Sequence, residues 1–127
     1  MTNNPVNWFE IYVKDTARAK AFYQAVFKTT LERLNAPGQP GVTEMWMFPS
    51  QERASGAAGA LVKMEGGPSG GNSVIVYFSC HDCALEAKRV PAAGGSIVKD
   101  KFAIGKYGFI ALVTDTEGNV IGLHSMQ

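Results

Sequence analysis

Charge of one sign, cysteine, histidine and long apolar runs are all scarce in this sequence. Lys and Arg number 12 against 11 Asp and Glu, a formal net charge of +1, and the basic residues are scattered. Gripping a phosphate backbone takes a basic stripe, so nucleic acid is not expected as a partner. No stretch approaches the roughly 18 consecutive apolar residues of a membrane span, so none is expected. Met1–Asn7 shows no basic region leading into an apolar one, the pattern of a secretory signal. The two cysteines, Cys80 and Cys83, are three positions apart and cannot staple a fold, so a reducing cytoplasm is the expected compartment.

What is present is enough for one domain with a real core. The chain has 127 residues, 46% hydrophobic and 18% charged, near the globular average and too short for two ordinary domains. Asn7 to Lys14 alternates, with Trp8, Glu10 and Tyr12 on one side and Phe9, Ile11 and Val13 on the other, which predicts a strand. Asp15 and Thr16 offer N-cap oxygens, and Ala19, Phe22, Tyr23, Val26 and Phe27 then recur at helical spacing. Short strands are predicted at Thr30 to Leu34, Met45 to Phe48 and Ala57 to Met64, with a turn at Ala36-Pro37-Gly38. The run Gly66-Gly67-Pro68-Ser69-Gly70-Gly71 leads into another strand, whereas a phosphate-cradling loop would open a helix, so it reads as a linker.

The pattern then repeats. A strand at Ser73 to Ser79 is followed by Asp82 as an N-cap and a helix through Ala84, Ala87 and Val90, which Pro91 should end. Strands are predicted at Ser96 to Lys99, Phe109 to Thr114 and Val120 to Ser125, the last two joined by the turn Asp115 to Asn119. Setting Asp15 over Asp82 gives an offset of 67 residues and places Trp8 over Ile75, Glu10 over Tyr77 and Tyr12 over Ser79. The expected architecture is α+β: two βαβββ modules, about 1–65 and 73–127, pairing into a curled mixed sheet around a cavity.

Phe9-Glu10-Ile11-Tyr12-Val13-Lys14-Asp15, then Arg18-Ala19, Ala21-Phe22-Tyr23 and Phe27, resemble the opening of the vicinal oxygen chelate superfamily. That superfamily includes glyoxalase I, bleomycin-resistance proteins and extradiol dioxygenases. Ala93-Gly94-Gly95, and Asp115 to Asn119 followed by Val120-Ile121-Gly122-Leu123, resemble its second half, with Thr116 in place of the usual turn proline. The resemblance implies the paired-module fold and a cavity that holds substrate, often with a divalent metal. It implies the reaction only weakly, since one scaffold hosts many chemistries.

The resemblance also implies where metal ligands would lie, and these places are poor in donors. The first ligand of each module lies seven residues before the Asp that opens the helix, where this chain has Trp8 and Ile75. The ligand on the final strand is a Glu four residues after the turn glycine, where this chain has Gly122; Ala57 to Met64 supplies neither carboxylate nor imidazole. A metal needs about three protein ligands, so neither a metal nor another cofactor is expected.

Other chemistry is limited. Cys80-His81-Asp82-Cys83 is formally a C-x-x-C at a helix start, but it has no second ligand pair for zinc, and alternation turns Cys80 toward the helices. If the ligand places mark the cavity face, alternation brings Glu10, Tyr12, Tyr77, Ser79 and His124 to it. Glu10, Tyr77 and His124 are the candidate catalytic residues, with Glu10 and His124 expected within direct or water-bridged hydrogen-bond reach and Tyr77 close by. Trp8, Tyr12, Trp46, Phe48, Phe102 and Tyr107 are the candidate ligand-binding residues, as aromatic walls and entrance.

Two functions stay open at this point. One is an enzyme with lyase- or isomerase-like activity that works without metal on a carbonyl- or hydroxyl-bearing substrate. The other is a binder that sequesters an aromatic or amphiphilic compound, as drug-resistance relatives do. A metal-dependent lyase or dioxygenase is the remaining alternative. The expected partners are a small-molecule ligand and a second copy of the chain in a homodimer, an assembly common in the superfamily.

Overall fold

A computed structural model describes residues 4–35, 39–67, 69–70 and 73–127. The expected turn at Ala36-Pro37-Gly38, and Pro68, Gly71 and Asn72 of the linker region, lie outside the described residues. Eight strands and two helices make the fold α+β. The first series is β1 (Val6–Tyr12), α1 (Thr16–Phe27), β2 (Glu32–Arg33), β3 (Val42–Met47) and β4 (Ala58–Met64). The second is β5 (Val74–Ser79), α2 (Cys83–Arg89), β6 (Ser96–Ala103), β7 (Phe109–Thr114) and β8 (Val120–Ser125), with one 3-10 turn at Gly105–Tyr107. No helix among the described residues is long and apolar enough to cross a membrane.

The chain forms two compact units, Trp8–Val74 and Ile75–Gln127, the latter including the residues up to Asn7. Within the first unit the strand order is β2-β3-β4-β1, and within the second it is β6-β7-β8-β5. The strand before the helix pairs in parallel with the last strand in both: Glu10 lies opposite Ala60 on β1–β4, and Tyr77 opposite Gly122 on β5–β8. The remaining pairs are antiparallel. The sequence repeat is thus a repeat of topology.

Local chemistry starts and stops the elements. Asp15 accepts a hydrogen bond from Arg18 N at 3.0 Å, and Lys28 closes α1 in a left-handed conformation with its N–H on Gln24 O. Asp82 accepts from Ala84 N at 3.1 Å at the start of α2, and that helix ends at Val90, before Pro91, as the sequence predicts. Asp115 shapes the β7–β8 turn. Its carboxylate takes Glu117 N at 2.8 Å, Asn119 N at 2.9 Å and Asn119 Nδ2 at 2.8 Å, bonds that hold it below the usual carboxylate range.

Three elements differ from the sequence reading, and one of them is the third strand, which runs from Val42 to Met47 and leaves Phe48 outside it. The second strand shrinks to Glu32–Arg33. The sixth runs on to Ala103, so Phe102 lies in β6 and not in a loop before the seventh strand. Register shifts between Ile97 and Lys99 and between Lys99 and Phe102 break the period of two, which hides the strand in the pattern.

Each unit has buried residues on the side of its sheet that carries the helix, and Ala60, Val62 and Met45 are buried on the opposite side of the first. In the second, Cys83 and Ala87 of α2 pack on Ala111, Val113 and Leu123. In the first, Leu61 is 1% exposed, and Phe48 meets Phe9 and Tyr23 with ring centroids 5.7 and 5.6 Å apart. Leu61→Ala should cost about 2–5 kcal/mol by opening a cavity. Phe22→Ala, on the exposed side of α1, should stay within about 0.5 kcal/mol. Urea unfolding measures both, and equal effects would misplace this core.

Candidate functional site

In the first unit the side of the sheet opposite α1 carries a buried carboxylate. Glu10 is 1% exposed. Its neighbours in register are Ala60 on β4 and, beyond it, Met47 on β3, while Tyr12 lies in a row with Val62 and Met45. The indole Nε1–H of Trp8 donates to Glu10 Oε2 at 3.1 Å, and the Tyr12 hydroxyl donates to Oε1 at 2.7 Å. Alternation explains this grouping: residues 8, 10 and 12 of one strand project to one side, so two aromatic donors flank the carboxylate.

Trp46 and Phe48 do not share that side. Trp46 lies opposite Leu61, and the Phe48 N–H pairs with Gly59 O, so both face α1, across the sheet from Glu10. The expected aromatic wall of Trp8, Tyr12, Trp46 and Phe48 is therefore corrected to Trp8 and Tyr12. Two cations lie over the Trp46 ring, Lys20 Nζ at 3.3 Å and Arg33 Cζ at 5.7 Å. Its Nε1–H donates to Glu44 at 3.0 Å, and that bond, helped by Thr16, Arg33 and Lys63, lowers the Glu44 pKa against the effect of burial. A groove of about 530 Å³ opens here, between Trp46, Glu44, Lys20, Lys63 and the first turn of α1.

In the second unit His124 lies in register with Ser79 on β5 and Ile110 on β7, on the side away from α2, as alternation predicts. Its Nε2 is 2.6 Å from Tyr107 O, and its Nδ1 is 3.3 Å from Asn7 Nδ2. A carbonyl only accepts, so Nε2 carries the proton and Nδ1 accepts from the Asn7 amide. Both ring nitrogens are engaged. Asn7 Oδ1 is buried with no hydrogen-bond partner. Phe102 lies opposite Ile110 and so joins the His124 row, with Lys99 Nζ 4.0 Å above its ring. Tyr107 contributes its carbonyl there. Asn7 is the participant that sequence reasoning missed; it contacts a residue 117 positions away, and nothing local signals that.

The family's ligand places offer no coordinating atom to a metal. Trp8 uses its one polar group on Glu10. Ile75 has no donor atom. Gly122 lies directly under the Tyr77 ring. Among the described residues, no three of His, Cys, Asp and Glu are grouped to hold a metal ion.

The cysteines face the other way. Cys80 packs with the α2 cluster, and its thiol donates to Phe78 O at 3.6 Å; Cys83 is fully buried at the start of α2. Burial first, then the Glu86 carboxylate, pushes the Cys80 pKa from 9.0 up to about 11. The unfolded thiol therefore ionises first, and stability contributed by keeping it protonated is present below pH 9 and is lost as pH rises toward about 11. Native protein at pH 8 should react with a thiol reagent far more slowly than urea-unfolded protein. Equal rates would contradict the buried placement.

Known proteins share both the sequence pattern and the fold. The profile of the Glyoxalase/Bleomycin resistance protein/Dioxygenase superfamily matches residues 6–123. No curated protein matches the sequence. Among solved structures, a hypothetical protein from Bacillus halodurans C-125 superposes with a TM-score of 0.69 at 14% identity, covering 99% of this chain and 96% of that one. Methylmalonyl-CoA epimerase from Mycobacterium tuberculosis gives 0.67 at 14% identity, over 97% and 88% of the two chains. A variant of the Streptomyces coelicolor methylmalonyl-CoA epimerase, in complex with 2-nitronate-propionyl-CoA, gives 0.66 at 17% identity, over 98% and 95%. At these identities the superpositions speak for the fold. With a profile match spanning nearly its whole length and the fold to go with it, this chain belongs to the Glyoxalase/Bleomycin resistance protein/Dioxygenase superfamily.

Proposed function

We propose that this protein binds a small organic molecule against the side of the sheet that carries Glu10, and that Glu10 serves as the base or hydrogen-bond acceptor, without a metal. The observation that carries this reading is the clamped carboxylate: buried to 1% exposure, with one oxygen on Trp8 and the other on Tyr12. A buried carboxylate is costly, and a hydrogen bond made to it away from water is stronger than one made in solution. The Trp8 and Tyr12 donors hold the carboxylate in one orientation. The suitable substrate class is a compound with a hydroxyl, or with an acidic C–H beside a carbonyl. CoA esters of the kind bound by the solved epimerases are the first to try.

Tyr77 and His124 are proposed to contact ligand on the side of the second unit's sheet away from α2. With Nε2–H on a carbonyl and Nδ1 accepting from Asn7, His124 suits holding a loop and a ligand better than shuttling protons. That favours a single-base enzyme over a two-base one. It also supports, as a second reading, a binder of the drug-sequestering kind. A metal-dependent reaction is disfavoured by the donors missing at positions 8, 75 and 122.

Methylmalonyl-CoA in heavy water separates these readings. Proton exchange at its acidic carbon, abolished by Glu10→Gln and retained after exhaustive chelation, is the expected outcome. Glu10→Gln should cost about 1–3 kcal/mol of stability, as for a disturbed buried hydrogen-bonding group, and should still fold. Binding without exchange would select the sequestering protein. Exchange that Glu10→Gln leaves intact, or that chelation removes, would contradict the assignment.

A further inference from the structure

On β5 and β8 one aromatic ring sits on one glycine, on the side of the sheet away from α2. Tyr77 and Gly122 are register partners on parallel strands. A Cβ built on Gly122 would lie 2.6 Å from Tyr77 Cγ and nearer still to Cδ2 and Cε2. Ordinary contacts begin at 3.4 Å, so any side chain at position 122 must expel the ring. Tyr77 is 3% exposed and belongs to the well-packed part of the unit. Position 122 is also where the family resemblance calls for a ligating carboxylate.

We infer that Tyr77 and Gly122 form a matched pair that closes this side of β5 and β8 to coordination chemistry. The phenol ring takes the volume that a ligating side chain at position 122 would need. Ligands on this side of β5 and β8 are therefore recognised by ring contact and hydrogen bonding, not through a metal held there. Tyr77 is the specificity-determining residue, and Gly122 is its seat. The glycine is not there for backbone freedom: its φ lies outside the left-handed region, unlike that of Gly118 in the preceding turn. It is there because a ring approaches it. The inference rests on the proposed reading that the ligand lies on the side away from the helices.

The test needs no ligand. In the full chain the Gly122 Hα protons lie beneath the Tyr77 ring, so its ring current should shift them upfield in the proton NMR spectrum. The shift should persist in Tyr77→Phe and vanish in Tyr77→Ala. In unfolding experiments Gly122→Ala should lower the midpoint sharply on the native background. It should lower it much less on the Tyr77→Ala background, where the methyl enters vacated space. Manganese chloride titrated alone into the native protein should leave the Tyr77 and Gly122 signals unbroadened at one equivalent. An unshifted Gly122 in the native spectrum would overturn the pairing, and so would strictly additive midpoints or stoichiometric broadening by manganese. Should Gly122→Ala fail to fold, the native, Tyr77→Phe and Tyr77→Ala spectra still decide. If no organic ligand binds while the ring-current shift and non-additivity are present, the functional reading fails and the pair stands.

Discussion

In each βαβββ series the strand before the helix pairs in parallel with the last strand of the series. A parallel pair cannot be closed by a tight turn, so the intervening chain must cross one side of the sheet, and the helix lies on that side. The crossover divides the side chains of every strand into two sets. Phe9, Leu61 and Phe48 in one unit, and Cys80, Ala111 and Leu123 in the other, go to the side that carries the helix. Trp8, Glu10 and Tyr12, and separately Tyr77 and His124, go to the opposite side. The position of each chemically capable residue follows from whether its number is odd or even on its strand.

Glycine lets both parallel pairs close with a ring between them. On β1–β4 the Phe9 ring covers Gly59, and on β5–β8 the Tyr77 ring covers Gly122. The device is the same but its direction is not: Phe9 faces α1 and serves the core, while Tyr77 faces away from α2. The Trp8 indole orients the carboxylate two residues along the strand.

Much of this was legible in the sequence because it is local. Asp15, Asp82 and Asp115 announced the caps and the turn, the 67-residue offset announced the duplicated topology, and alternation turned Glu10 and His124 each away from the helix of its own unit. What stayed hidden depends on pairing between distant strands. The side to which Trp46 and Phe48 turn is set by the register of β3 on β4, which shifts between Val42 and Glu44, and one slip reverses every side chain. The irregular register of β6 concealed Phe102 as a strand residue. Asn7 reads as the plain start of a strand until its partner, 117 residues on, is known.

The side of the sheet that meets ligand is the central claim, and a map of backbone amide shifts tests it most directly. Methylmalonyl-CoA and small hydroxyl- or carbonyl-bearing aromatic compounds would be titrated into isotope-labelled protein. The account places the responding amides at Trp8, Glu10, Tyr12 and Ala60. Shifts confined to Thr16, Lys20, Glu44 and Lys63, around the groove beside α1, would contradict it.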